Sequence, residues 1–382
     1  MEFNLKLFLR QVWHSLTDTT GTPARLTPKR IIFLILFFPI FLLVRLVNII
    51  SFRLDEFFHR DYHQQQLSQP VFILGNPRSG TTFLHRLLAR DRRNFSFMRM
   101  WEIYFAPSIT QRKLFWLAQK LDNLFGAPLQ RAILYREQQM WMNNNIHMTS
   151  LTEADEDEAV LFNIWSSIFT SVFFPHPDLV RQYAFFDKRV PRRERRRVMA
   201  FYKTCLQRHL YAHDSDKHII SKNPTFSPKV DALYETFPDA RIIYLVRNPL
   251  NTIPSMISWL TFQWKQFCDP EERYMFKEYV MEMAEEWYRY PLQRLAQAPP
   301  KSYLIVRYED LADDPDAVIR HIYDHFGFPI SRRFARILAR QSRKAKRFKS
   351  KHEYSLQEMG LDEKRIRRRF KFVFDRFGFE GG

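Results

Sequence analysis

The sequence predicts an α/β fold in which a parallel sheet is covered on both faces by helices. Short, continuously apolar runs at 71–75 (VFILG), 218–221 (HIIS), 241–246 (RIIYLV) and 302–308 (SYLIVRY) read as strands buried on both sides. Longer helical patterns separate them, as layered α/β architectures require. A Gly-x-x-x-x-Gly loop from Gly75 to Gly80 follows the first strand and leads into a helical pattern, the arrangement that cradles phosphates. With 382 residues, 46% apolar and 16% aromatic, the chain can bury the core of one large domain.

The first 69 residues carry an apolar stretch, RIIFLILFFPIFLLVRLVNIISF (30–52), in which 14 residues from Ile31 to Val44 have no polar side chain. A bilayer span wants about 20 apolar residues. Pro39 lies within the stretch, Arg45 and Asn48 interrupt it, and Lys29, Arg30 and Arg53 flank it on both sides. It begins too late for a simple signal peptide. It reads as a monotopic or re-entrant membrane anchor; a spanning helix with Arg45 snorkelling, or a buried core helix, stays open.

From residue 101 to 210 the pattern is mostly helical and rich in aromatics, too long for a simple crossover, and is expected to be an insertion that caps the substrate site. The formal net charge of +18 calls for an anionic partner: an anionic membrane surface or a charged small substrate. Residues 331–351 hold ten basic and no acidic side chains, and KRVPRRERRR (188–197) is a second cluster. No zinc-type spacing or nucleic-acid motif accompanies them, which argues against a nucleic-acid partner. Cys205 and Cys268 are the two cysteines and fit a reducing compartment, with the catalytic domain on the cytoplasmic side.

In open α/β sheets ligands gather at the carboxyl ends of strands. Here those ends read GNPRSGTT, SKNPTF, RNPLNTIPS and YEDL. In the first, backbone N–H groups, Arg78 and the hydroxyls of Thr81 and Thr82 make an anion site, but Thr81 stands where a nucleoside-triphosphate loop has its lysine. In the third, Arg247 and Ser255 are placed to grasp one phosphate together. Lys222, ending the HIISK run, is a third fixed group.

The pair PRSGTTFL and RIIYLVRNPLNTIPSM resembles the two nucleotide-binding signatures of the sulfotransferases that use 3′-phosphoadenosine 5′-phosphosulfate (PAPS). SKNPTFSPKVDALYETFPDARIIYLVRNP, YLIVRYEDLADDPDAVIRHIYDHFGFP and KSKHEYSLQEMGLDEKRI extend the likeness, the last to a branch common in bacteria. The resemblance implies a three-layer P-loop-type sheet of about five strands in a domain over 70–375. It also implies metal-independent, in-line transfer of a sulfuryl group to an acceptor hydroxyl on a lipid, carbohydrate or other small molecule. Carried over by position, Arg78, Ser79, Gly80, Thr81 and Thr82 would hold the 5′-phosphosulfate, and Arg247 and Ser255 the 3′-phosphate, with help from Lys349 and Lys351. Lys222 and Arg78 would stabilise charge on the transferred and leaving groups.

A general base has to take the acceptor proton. Pro224 stands where cytosolic members have a histidine, so the resemblance turns to Glu102, 24 residues after Arg78. The rival is the acidic run Glu153, Asp155, Glu156, Asp157 and Glu158, which reads as charge complementarity at a helix amino terminus. His147 is a further candidate, and His85 reads as a packing or surface residue. An ATP- or GTP-dependent kinase would want lysine at 81 and a strand-end aspartate for Mg²⁺, and a non-catalytic basic membrane adaptor would leave the strand ends unexplained.

Overall fold

The computed structural model describes residues 2–142, 150–270, 274–345 and 356–379. Five strands, β1 (Val71–Gly75), β2 (Phe95–Ser96), β3 (His218–Lys222), β4 (Arg241–Val246) and β5 (Tyr303–Arg307), form one parallel sheet in the order β2-β3-β1-β4-β5. β1 lies at its centre, with Val71 level with Ile220 of β3 and Arg241 of β4. Every strand therefore ends on the same side of the molecule.

Helices α1 (Leu5–Thr17) and α2 (Pro28–Phe58) precede the sheet, and α3 (Thr81–Leu88) follows β1. Between β2 and β3 come α4 (Met100–Tyr104), α5 (Ile109–Leu124), α6 (Pro128–Met142), a 3-10 stretch at Asp157–Ile164, α7 (Thr170–Phe173), α8 (Pro177–Ala184), α9 (Phe186–Arg189) and α10 (Arg192–Ala212). α11 (Val230–Thr236) connects β3 to β4, and α12 (Pro249–Phe267) and α13 (Lys277–Leu295) connect β4 to β5. α14 (Tyr308–Asp313), α15 (Pro315–Phe326), α16 (Arg332–Ala345), α17 (Glu363–Arg369) and α18 (Lys371–Phe377) follow.

Strand alternation sorts the core into two clusters. Val71, Ile73, Ile243 and Leu245 pack with Leu84, Leu87 and Leu88 of α3 and with α15 and α16. Phe72, Leu74, Ile242 and Tyr244 face the larger cluster, which draws on the 3-10 stretch and on α8, α10, α11 and α13. The expected three layers follow. β2, two residues long and paired with His218 and Ile219, had no apolar run to announce it.

The stretch between β2 and β3 divides into two parts of different character. Residues from Val160 to Leu210 contribute to the larger core, whereas α5 beyond Arg112 and α6 stand out as an exposed hairpin, joined where Asp122 accepts the amides of Leu129 and Gln130. The amino-terminal helices also pack onto the domain, Leu7 and Leu34 entering the same core. Cys205 and Cys268 are buried free thiols.

The charge clusters meet different fates. Lys188 pairs with Glu286 and Arg195 with Asp187. In α16, Phe334 and Leu338 pack inward, while Arg332, Arg333, Arg336 and Arg340 are exposed. Lys349, Lys351 and His147 lie outside the described residues.

α2 and α5 are bonded at Asp55. Its buried carboxylate accepts the amides of Ile109 (2.9 Å) and Thr110 (2.8 Å), capping α5, and pairs with Arg208 Nε at 3.1 Å. Asp55→Ala should therefore lower stability by about 1–3 kcal/mol, read from the urea midpoint, since the Ile109 and Thr110 amides and Arg208 Nε lose their acceptor while Glu56 still holds Arg208 Nη2 at 2.8 Å.

Candidate functional site

The cleft forms where β1, β3 and β4 give way to loops. Gly75 leaves β1 at φ +144°, and a Cβ there would sit 2.5 Å from the Leu245 carbonyl oxygen of the neighbouring strand. Arg78 adopts the left-handed region at φ +69°, as does Gly80 at φ +84°, where a Cβ would meet the Tyr308 ring at 2.5 Å. The loop thus turns its amides ahead of the α3 amino terminus, and nothing larger than glycine fits at either end.

Arg78 donates through Nε to Ser255 Oγ (3.0 Å), and Arg247 donates through Nη1 to the Arg78 carbonyl (2.7 Å). The Arg247 guanidinium lies over Tyr308, 4.3 Å from the ring centroid, and its buried Nε has no hydrogen-bond partner among the described residues. Tyr308 therefore backs both the loop and the arginine. Ser255 sits in the second turn of α12, beneath the cleft surface.

β3 ends at Lys222, which is almost wholly buried. Its ammonium donates to Thr82 Oγ1 (3.2 Å) and meets Glu156 Oε1 at 2.6 Å. Pro77, Arg78, Gly80, Thr81, Thr82, Arg86, Glu156 and Arg247 line the polar part of a cleft of about 620 Å³. Ile168, Phe169, Val172, Trp259, Leu260 and Trp264 line an apolar part. The lining thus offers both anion-binding groups and apolar surface.

The acidic run opens the 3-10 stretch, with Asp157 and Glu158 in its first turn, and its side chains also take specific partners. Glu153 pairs with Arg86 at 3.1 Å and Glu156 with Lys222. Asp157 accepts from Tyr202, Ser221 and Asn223, and Glu158 meets Lys229 at 2.9 Å. Burial pushes Asp157 up to about 6 and lifts Glu156 above the usual carboxylate range, against the pull of Lys222. Glu156, the acid that opens into the cleft, was hidden in a run of like residues; only contact with Lys222 distinguishes it.

Glu102 lies elsewhere. Fully buried, it closes the first turn of α4 by accepting the Arg99 amide (2.8 Å). Its Oε1 takes His213 Nε2 at 2.6 Å, with His209 Nδ1 and Arg112 Nε both at 3.6 Å. Despite the desolvation, these neighbours hold its carboxyl well below the usual range. Although Glu102, His209 and His213 are grouped closely enough for a metal ion, the Arg112 guanidinium already opposes that charge. Such a carboxylate is a poor proton acceptor and does not line the cleft.

Residues 70–332 match the model of the Sulfotransferase family, more than half of the chain. The chain belongs to the sulfotransferase family. It is 27% identical over 263 residues to the omega-hydroxy-beta-dihydromenaquinone-9 sulfotransferases Stf3 of Mycobacterium bovis and Mycobacterium tuberculosis, covering 68% of this chain and 62% of theirs. The matched region therefore spans less than two thirds of those relatives. The fold resembles sulfotransferase STF9 of Mycobacterium avium (TM-score 0.67, 19% identity, 84% of this chain and 80% of that one). It equally resembles sulfotransferase STF1 of Mycobacterium tuberculosis (TM-score 0.67, 20% identity, 95% and 90%).

In this member of the family, His85 of α3 is buried near Lys222, and burial pushes its imidazole down to about 3. The native state keeps it neutral while the unfolded chain protonates it from about pH 6.5 downward, so its contribution to stability is present above that pH and is lost towards pH 3. His85→Leu should flatten the acid limb of the urea-midpoint profile between those limits relative to wild type.

Proposed function

We propose that the protein transfers a sulfuryl group from PAPS to a hydroxyl of a lipid-like acceptor at the cytoplasmic face of a membrane. The observation that carries this reading is the meeting, in one cleft, of a lysine-free phosphate loop, Arg247, whose Nε has no partner among the described residues, and Glu156, which is bonded to the buried Lys222 behind the lining. The donor set fits a bisphosphorylated nucleotide. Loop amides with Arg78, Thr81 and Thr82 would hold the 5′-phosphosulfate, and Arg247 with Ser255 the 3′-phosphate. When bound, PAPS supplies the transferable group.

Lys222 and Arg78 place positive charge where the sulfuryl and leaving oxygens gather charge, without reorganising at the moment of reaction. Glu156 replaces Glu102 as the base. It receives the acceptor proton as the oxygen–sulfur bond forms, and the sulfur–oxygen bond to the nucleotide phosphate breaks, releasing adenosine 3′,5′-bisphosphate. Its raised pKa makes it a better proton acceptor than Glu102, and Lys222, bonded to the same carboxylate, links base and cation.

The acceptor class follows from the apolar end of the cleft, where Trp259, Leu260 and Trp264 suit an alkyl or isoprenoid portion. The Stf3 relatives are named for a menaquinone-type acceptor. Buried free thiols fit a reducing, cytoplasmic setting. A kinase finds less support, since β3 ends at Lys222 and β4 leads to Arg247, so neither strand end beside the loop offers an aspartate for Mg²⁺.

Calorimetry with adenosine 3′,5′-bisphosphate and with ATP tests the donor site: the bisphosphate should bind more tightly, and Arg247→Ala or Ser255→Ala should weaken it by tenfold or more. Tighter ATP binding, or indifference to both substitutions, would sink the proposal. Glu156→Gln should lower kcat by about 10²–10⁴. It should also abolish the fall in rate on acidification that protonation of Glu156 imposes, whereas Glu102→Gln should retain that limb.

A further inference from the structure

α2 turns the usual pattern of a surface helix inside out. Between Arg30 and Asp55 its polar side chains, Arg53 apart, face the protein. Arg30 donates to the Phe173 carbonyl (2.8 Å), Arg45 to the Asn163 carbonyl, Asn48 to Asn163 Oδ1 (2.8 Å), and Asp55 caps α5. The outward side carries ten exposed leucines, isoleucines and valines from Ile31 to Ile50, Ile35 being 64% exposed. An ordinary surface helix shows the opposite arrangement.

α1 repeats the inversion. Gln11 bonds inward to Thr170 (3.0 Å) and to Trp165 Nε1 (2.7 Å), while Leu5, Leu9, Trp13 and Leu16 point outward. The hairpin of α5 and α6 continues the apolar surface to its tip, where Leu124 and Phe125 are each 79% exposed. These helices touch in sequence: Phe8 of α1 stacks on Phe41 of α2, Gln111 of α5 donates to Asn48 of α2, and Asp122 joins α5 to α6. Neither α1 nor α5 has an exposed carboxylate, and α2 has none before Glu56, whereas Lys6, Arg10, Lys113 and Lys120 are exposed on them.

We infer that α1, α2, α5 and α6 form a monotopic docking surface for a phospholipid leaflet with anionic headgroups, and that α2 lies along the leaflet and does not cross it. Although α2 is long and apolar enough to span, the bonds at Arg30, Asn48 and Asp55 fasten it lengthwise to the domain. Rotating it across a bilayer would strip buried polar groups of their partners. Apolar side chains sink about 5–10 Å into such an interface while flanking lysines and arginines meet the headgroups.

The docked helix adjoins the cleft. Phe33 packs against Phe267 of α12 (4.9 Å between centroids) and Phe37 against Phe173 of α7 (5.5 Å). α7 and α12 also supply Val172, Trp259 and Trp264 to the apolar part of the cleft. An acceptor dissolved in the leaflet reaches that wall from the side; this last step rests on the proposed reaction, whereas the docking surface does not.

The test is sedimentation of the full chain with vesicles of three parts phosphatidylcholine to one part phosphatidylglycerol, without donor or acceptor. Wild type should bind, with much weaker binding to phosphatidylcholine alone. The triple variant Ile35→Ser, Leu43→Ser, Leu46→Ser should partition at least about a hundredfold less, with an unchanged urea midpoint. Single cysteines introduced by Glu2→Cys or Arg60→Cys should both react fully with an impermeant maleimide outside closed vesicles. Protection of one of them, wild-type binding by the triple variant, equal binding to both vesicle types, or a dimer abolished by the triple variant without vesicle binding would overturn the inference. Because the assay needs no catalysis, loss of transferase activity in other variants leaves it standing, and its own failure leaves the proposed reaction standing.

Discussion

The cleft depends on a buried clasp between the end of β3 and the acidic residues that open the 3-10 stretch. Asn223 Oδ1 accepts the Glu158 amide at 2.9 Å, while its Nδ2 donates to Asp157. Tyr202 and Ser221 add donors to the same Asp157 oxygen, and Lys229 neutralises Glu158. Each of these groups would be costly if left unpaired in so dry a place. Satisfied together, they fix the chain so that Glu156 stands over Lys222, and an open loop acquires the precision of a strand end.

Charge in this site is distributed in a way a nucleoside-triphosphate loop does not need. A loop lysine follows its phosphates because it is part of the same segment. Here Arg78, Lys222 and Arg247 come from three different strand ends, and each is held by something outside its own segment: Ser255, Thr82 with Glu156, and Tyr308. The parallel sheet therefore sets the spacing between cations, and the glycines at 75 and 80 let backbone approach without disturbing it.

The strand ends were legible because continuous apolar runs and glycine-bounded loops are local signals. β2 was not, since two residues paired with His218 and Ile219 leave no periodicity. Glu102 misled for a related reason: its distance from Arg78 is a property of sequence, but its ionisation is set by Arg112, His209 and His213, two of them more than a hundred residues away. Glu156 had the converse problem, looking like its four acidic neighbours until the fold set it against Lys222. The apolar stretch at 30–52 announced its hydrophobicity plainly, yet only packing could tell which side of the helix the polar residues would occupy.

α12 has a metric consequence. Ser255, beside Arg78, and Phe267, against Phe33 of α2, belong to one uninterrupted helix, twelve residues apart. At 1.5 Å per residue the two points stand about 18 Å from each other along a stiff rod. The helix therefore fixes the distance between the loop of Arg78 and the seat of α2 on the domain.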